Sequence, residues 1–208
     1  WITEKSLDIS VDHITWTGMV KELQKRGHRV LLVAGYKNSK KKFGLGRCIR
    51  YLWSVKKPLL GYLSFALSLM VSFPFFLARF RPHCIVLHPF SVFSLMPYIL
   101  LKAAGLLNIT LILDIRTIPV ELSGAGGRLE QKEFDLAVAV ARSFFDGITV
   151  ISPCMKNDIS TTYRIEGDTV GIWSSGVDTD IFSSKRIDSK KIGIIRKNLS
   201  LEDKFIVI

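Results

Sequence analysis

Five short apolar runs, each too brief for a helix and each separated from the next by helix-length sequence, constrain this chain most. They occupy residues 30–34, 84–88, 109–113, 148–151 and 169–173. A strand that faces water on one side alternates apolar with polar residues, whereas a near-continuous apolar run suits a strand buried on both faces. Between the runs the periodicity changes. Trp16, Met19, Val20 and Leu23 recur at i, i+3, i+4 and i+7, which predicts an amphipathic helix over residues 14–27. Lys25, Arg26 and His28 suit the negative end of its dipole, and Gly27 suits a left-handed cap. Residues 91–104 predict a helix stopped by Gly105, and residues 128–145 another, carrying Leu129, Phe134, Leu136 and Val140. Ser152 and Pro153 read as an N-cap followed by proline at the first helical position. Strands alternating with helices predict an α/β, Rossmann-like parallel sheet with helices on both faces. Residues 1–3 read as the tail of a strand, and residues 204–208 as a strand cut short, so both ends read as truncated.

In such sheets, ligands bind beyond the carboxyl ends of the strands. That rule selects residues 4–12, Gly35 and Tyr36, His88 and Pro89, Asp114 to Arg116, Ser152, and residues 174–178. His88 ends a buried strand and can donate or accept a proton near neutral pH. Asp114 and Arg116 can pair with each other as a structural salt bridge, or hold a hydroxyl or a phosphate. His13, at the start of the first helix, can cap, pack or face a ligand. His28 and His83 fall at the opposite ends of strands. No Gly-x-Gly-x-x-Gly, P-loop or Gly-x-Ser-x-Gly is present, and neither paired carboxylates nor a metal cluster can be proposed. Residues 124–127, three glycines and an alanine, read as a loop before a helix.

Charge is concentrated. Of a net +11, eight bases stand between residues 37 and 57 without one acid, and the other 21 bases nearly balance the 18 acids. Lys40, Lys41, Lys42, Arg47 and Arg50 interleave with aromatic residues including Trp53, a composition suited to an anionic membrane surface. A solvated loop gives the same composition. Nucleic acid is the rival partner, but no recognition motif accompanies the patch. Next to it, residues 59–77 run for 19 residues without a charge. That length can span a bilayer, form a buried helix broken near its end by Pro74, or dip into one leaflet. A span would place the strands before and after it on opposite sides of the membrane. Cys48, Cys84 and Cys154 match no zinc spacing and read as reduced, mostly buried thiols of a cytosolic protein.

Residues 176–182 form the last informative segment. Gly176 permits a sharp turn, Asp178 and Asp180 can cap freed N–H groups, and Phe182 can anchor the exiting chain. This turn resembles the Asn-Gly-Val-Asp-x-x-x-Phe signature of GT-B fold retaining glycosyltransferases (the family 4-like group), with Ser175 at the Asn position. Three further segments are similar to that family in the expected order. They are Arg26-Gly27-His28-Arg29-Val30, the strand from Arg81-Pro82 to His88, and Asp146-Gly147-Ile148 to Ser152.

The resemblance implies an N-terminal, acceptor-side domain over residues 1–175, a linker over 176–203, and the first strand of a donor-binding domain from 204. It implies a nucleotide diphosphate sugar as co-substrate, no cofactor, and a carbohydrate or lipid-linked acceptor. His88 matches a cleft histidine near the reacting sugar. Asp114 falls where a His-Asp pair is often found, with Leu113 at the His position. The first loop lacks the family's glycine pair, so phosphate contact there falls to Lys5 or to backbone. His13, Arg116, Ser152, Gly176 and Asp178 complete the expected substrate-binding set. The family's paired-glutamate donor motif lies beyond these residues, so this stretch alone is expected to be inactive. Many members work as peripheral proteins at the cytosolic face of the membrane. Two other readings are a GT-B fold nucleotide-sugar epimerase and a non-catalytic membrane-surface binding module.

Overall fold

A parallel strand cannot turn straight back, so every strand is joined to the next by a crossover whose direction sets the sheet order. The computed structural model describes residues 1–5, 7, 13–35, 48–55, 58–119, 124–174, 176, 188–201 and 204, apart from the side chains of 13, 58, 59 and 125. Seven strands lie among them: β1 (Ile2–Thr3), β2 (Leu32–Ala34), β3 (Ile49–Tyr51), β4 (Cys84–Leu87), β5 (Thr110–Ile115), β6 (Gly147–Val150) and β7 (Val170–Ile172). Their order is β3-β2-β1-β4-β5-β6-β7, and every pair is parallel. The chain moves outward from β1 to β3, returns past it, and moves outward again on the other side. β3 was not anticipated from sequence, because its three residues carry Arg50 in the middle of a basic stretch.

The helices α1 (His13–Lys25), α2 (Pro58–Phe80), α3 (Met96–Ala103), α4 (Gly124–Phe144) and α5 (Pro153–Tyr163) supply five of the six crossovers, and most of the connection from β2 to β3 lies outside the described residues. Successive side chains on a strand point to opposite faces. Leu32 and Ala34 pack with Trp16 and Val20 of α1 on one face of the sheet. Val33, Ile85, Leu87, Leu111, Leu113 and Ile148 pack on the other face with buried residues of α2 to α5. α1 ends as predicted, with Gly27 at φ +84°, where a side chain would be strained. The chain divides into two compact units, Trp1–Ser175 and Gly176–Ile208. The second contains α6 (Ser189–Asn198), capped by Asp188, whose carboxylate accepts the Lys190 and Lys191 N–H groups at 3.1 Å.

Three local expectations are corrected. The helix expected over 91–104 forms only as α3, because Pro97 lacks an N–H and belongs in a first turn; residues 89–91 and 93–95 make 3-10 turns instead. The glycine-rich residues 124–127 are not a loop but the opening of α4. Its stripe of Phe134, Ala137, Val138 and Ala141 is buried, and this packing outweighs the poor helix propensity of the glycines. Cys84 and Cys154 are exposed rather than buried, since one starts β4 and the other lies in the first turn of α5.

The apolar stretch is the fourth correction. α2 runs through Pro74 to Phe80 instead of breaking. Proline removes the N–H that would bond the carbonyl four residues back, here that of Met70. The Tyr98 hydroxyl donates to that carbonyl at 3.1 Å, and its ring packs at a tilt of 59° against Phe73 with centroids 4.4 Å apart. Tyr98→Phe is therefore expected to cost about 1 kcal/mol, seen as a lower urea midpoint. An unmoved midpoint would show that water serves the Met70 carbonyl equally well. α2 is also not a buried helix: little more than a quarter of it is covered, although it is long and apolar enough to cross a membrane. It joins β3 to β4, which share one sheet, so it lies against that sheet as a crossover.

Candidate functional site

Because the chain leaves β1 on one side and returns on the other, β1 and β4 are neighbours whose connections diverge. A crevice past their carboxyl ends is the expected ligand position of an open α/β sheet. Glu4 follows β1 and His88 follows β4, and the ladder continues into the site: the His88 N–H donates to the Ile2 carbonyl at 3.1 Å. Across β1, the Gly35 N–H donates to the Thr3 carbonyl at 3.1 Å. A side chain at Gly35 would put its Cβ 2.0 Å from the Glu4 carbonyl oxygen. Only glycine lets the loops after β1 and β2 meet this closely.

His88 is 3% exposed, with its Nδ1 3.2 Å from Glu4 Oε1, close enough for an ion pair and not aligned as a hydrogen bond. The Ser91 hydroxyl donates to the other Glu4 oxygen at 2.9 Å. Burial pushes the Glu4 carboxyl up, but His88 and the Ser91 hydroxyl outweigh it, and the net displacement is downward. Glu4 thus stands as a carboxylate beside the histidine. Trp16 meets the His88 ring edge-on at 6.2 Å, and Phe90 flanks it at 5.6 Å. The imidazole is held on three sides by α1, by β1 and by the turn after β4.

One strand further along, Asp114 and Arg116 are 1% and 3% exposed and pair with each other. Arg116 Nε donates to Asp114 Oδ2 at 2.9 Å, and Thr149 donates to Oδ1 at 2.7 Å. The same guanidinium donates to the Trp173 carbonyl at 3.1 Å and meets Met19 Sδ at 3.3 Å. It therefore ties the carboxyl ends of β5 and β7 to α1, and through Asp114 reaches β6. Both carboxylate oxygens of Asp114 are engaged within the chain.

The remaining expected residues separate. Lys5 follows Glu4, and its N–H donates to Thr3 Oγ1 at 3.3 Å. Ser152 caps α5, accepting the Met155 N–H at 3.2 Å. His13 opens α1. Gly176 is exposed in the second unit, while Asp178, Lys40, Lys41, Lys42 and Arg47 lie outside the described residues. Arg50 and Trp53 are exposed, on and just after β3. Glu4 and Ser91 were not singled out from sequence, since one acid in a polar loop carries no spacing signal. Nor were Tyr62 and Glu133. Burial and the neighbouring Glu133 push the Tyr62 hydroxyl up, and burial likewise pushes Glu133 up. Among the described residues, no three His, Cys, Asp or Glu side chains converge as metal ligands. A cavity of about 740 Å³ is lined by Trp1, Phe76, Phe80 and His83 and also by Trp173, whose carbonyl Arg116 holds.

The family model described as Glycosyltransferase Family 4 matches residues 14–181. The fold is similar to the crystal structure of a glycosyltransferase from Rickettsia africae ESF-5, with a TM-score of 0.59 at 11% identity. That likeness covers 98% of this chain and 49% of the other, so the chain spans about half the length of that protein. No curated protein matches the sequence.

Proposed function

The chain belongs to Glycosyltransferase Family 4, and from that premise we propose that it is the acceptor-side half of a retaining glycosyltransferase. The donor is a nucleotide diphosphate sugar, and the acceptor is a carbohydrate or a lipid-linked hydroxyl presented at the cytosolic face of a membrane. In the reaction, the bond from the anomeric carbon to the diphosphate oxygen breaks and a bond to the acceptor oxygen forms. The acceptor proton leaves with the diphosphate.

The observation that supports this reading is the pairing of buried His88 with half-buried Glu4 at the point where the sheet order reverses. A transferase of this kind works by positioning and by stabilising charge as it develops. An imidazole walled by Trp16 and Phe90 and held beside a carboxylate is pre-oriented for one hydrogen bond to the sugar. Arg116 and Asp114 act at one remove, by fixing the strand ends that bound the acceptor side. Lys5, beside Glu4, is the cation nearest in sequence to the crevice for a phosphate.

Incubating the full-length protein with a panel of nucleotide diphosphate sugars and extracted membrane or polysaccharide acceptors tests the proposal. The expected result is release of nucleoside diphosphate in step with sugar appearing on the acceptor, its anomeric configuration unchanged by NMR. Conversion of the donor to an epimer without any acceptor, or inverted product, would sink it.

A further inference from the structure

We propose that the outward face of α2 is a docking surface for an anionic lipid bilayer, on which the helix lies flat. This deepens the membrane-face location proposed above and uses nothing of the transfer chemistry.

Phe65, Leu69 and Phe73 are buried against the sheet. At 100° per residue the opposite stripe carries Leu60, Leu63, Leu67, Val71 and Phe75, between 51% and 73% exposed. Every exposed position from residue 60 to residue 78 is apolar. Its few hydroxyls face inward or sideways: Ser64 donates to the Gly61 carbonyl and accepts the Val55 N–H. A helix that meets water on one side shows the reverse, polar outside and apolar inside. From Leu60 to Phe75 the stripe runs for about 23 Å at 1.5 Å per residue, far more than a scattered exposed leucine.

Charge identifies the occupant. From residue 23 to residue 113 the chain carries 14 bases and no acid, while everything outside that segment carries 15 bases and 18 acids. The whole positive excess therefore belongs to the stretch of sequence that contains α2. Arg79 and Arg81 are exposed at its end, and Lys56 and Lys57 precede it in sequence. Trp53 is 67% exposed, and its neighbours are tied to the helix: Ser54 donates to the Gly61 carbonyl at 2.9 Å, and the Val55 N–H reaches Ser64 Oγ at 2.9 Å. An apolar stripe with an indole and cations at its rim matches the layered chemistry of a bilayer surface.

The alternatives fit less well. A second copy of the chain would bring the same cations together, whichever way two α2 helices paired, with no acid in the segment to answer them. A transmembrane path would pull β3 and β4 out of one sheet.

Vesicle flotation tests the surface. The protein is expected to float with phosphatidylcholine vesicles containing about 30% phosphatidylglycerol, at least about tenfold more than with phosphatidylcholine alone. The combined Leu63→Ser, Leu67→Ser and Val71→Ser variant is expected to stay with the soluble fraction while melting like wild type. Should that variant be poorly folded, Leu67→Cys carrying an environment-sensitive dye gives a second reading: blue-shifted emission on adding anionic vesicles. Flotation of the triple variant at wild-type levels, or an unshifted dye, would overturn the proposal. So would a dimer, seen by sedimentation, that the triple variant abolishes. Transfer to a water-soluble acceptor is expected to survive in the triple variant, so a failed docking surface and a failed assignment of the reaction give different results.

Discussion

Arg116→Ala is expected to remove about 3–5 kcal/mol of folding stability, because it breaks a buried ion pair by deleting one partner. For a chain of this size that lowers the melting temperature by about 6–20 °C. The loss has three parts. Asp114 is left buried without its cation, and among the described residues Thr149 remains to donate to it. The Trp173 carbonyl loses its donor, and the contact with Met19 disappears, so the ends of β5 and β7 are no longer tied to α1. Lysine cannot rescue this, since an ammonium has no planar fork to serve three directions at once. Arg116→Lys is therefore expected to melt closer to Arg116→Ala than to wild type. Asp114→Ala should be comparably damaging, yet the double replacement should cost clearly less than the two singles added, because neither charge is then stranded. Single losses below about 1 kcal/mol, or strict additivity in urea titrations, would show that the two do not act as a buried pair.

How much of this was legible beforehand depends on how local the cause is. Central strands announce themselves because burial on both faces forces continuous apolar runs, and residues 84–88 and 148–151 became β4 and β6 within one residue. Caps were equally readable at Gly27 and Ser152, since each needs a particular residue at one position. What failed was tertiary. Pro74 breaks a helix in isolation, and nothing nearby in sequence says that Tyr98, 24 residues on, will supply the missing donor. Glycines at 124–127 look like a loop until the buried stripe beginning at Phe134 is known to hold the whole segment helical. The site divides in the same way. His88, Asp114 and Arg116 could be placed at the carboxyl edge because that rule needs only strand positions. Glu4 was missed as a named partner because its role depends on β1 and β4 being neighbours, which the sheet order decides.

The second large expected effect is on turnover. His88→Ala in the full-length enzyme is expected to lower kcat by about 10²- to 10³-fold, the usual cost of deleting one well-placed donor to a reacting centre. Affinity for the donor should change little, because the imidazole is proposed to act most strongly as charge develops. Glu4 is a positioning residue in this scheme, touching His88 and Ser91 and not the sugar. Glu4→Gln should therefore lower kcat less than His88→Ala, again with KM nearly unchanged, and His88→Ala should make a further change at Glu4 almost without effect. Stability gives a readout independent of turnover. The Glu4 carboxyl lies below its ordinary value of 4.5 in the folded protein, so the unfolded chain takes up that proton first as pH falls. Its contribution is present in full above that value and is lost as pH drops through the lower, folded one. Stability measured from neutral to acid pH should thus fall more steeply in wild type than in Glu4→Gln, the two curves converging at low pH. Identical acid limbs would detach Glu4 from His88, and wild-type turnover in a folded His88→Ala enzyme would take the histidine out of the chemistry and leave it a packing residue between Trp16 and Phe90.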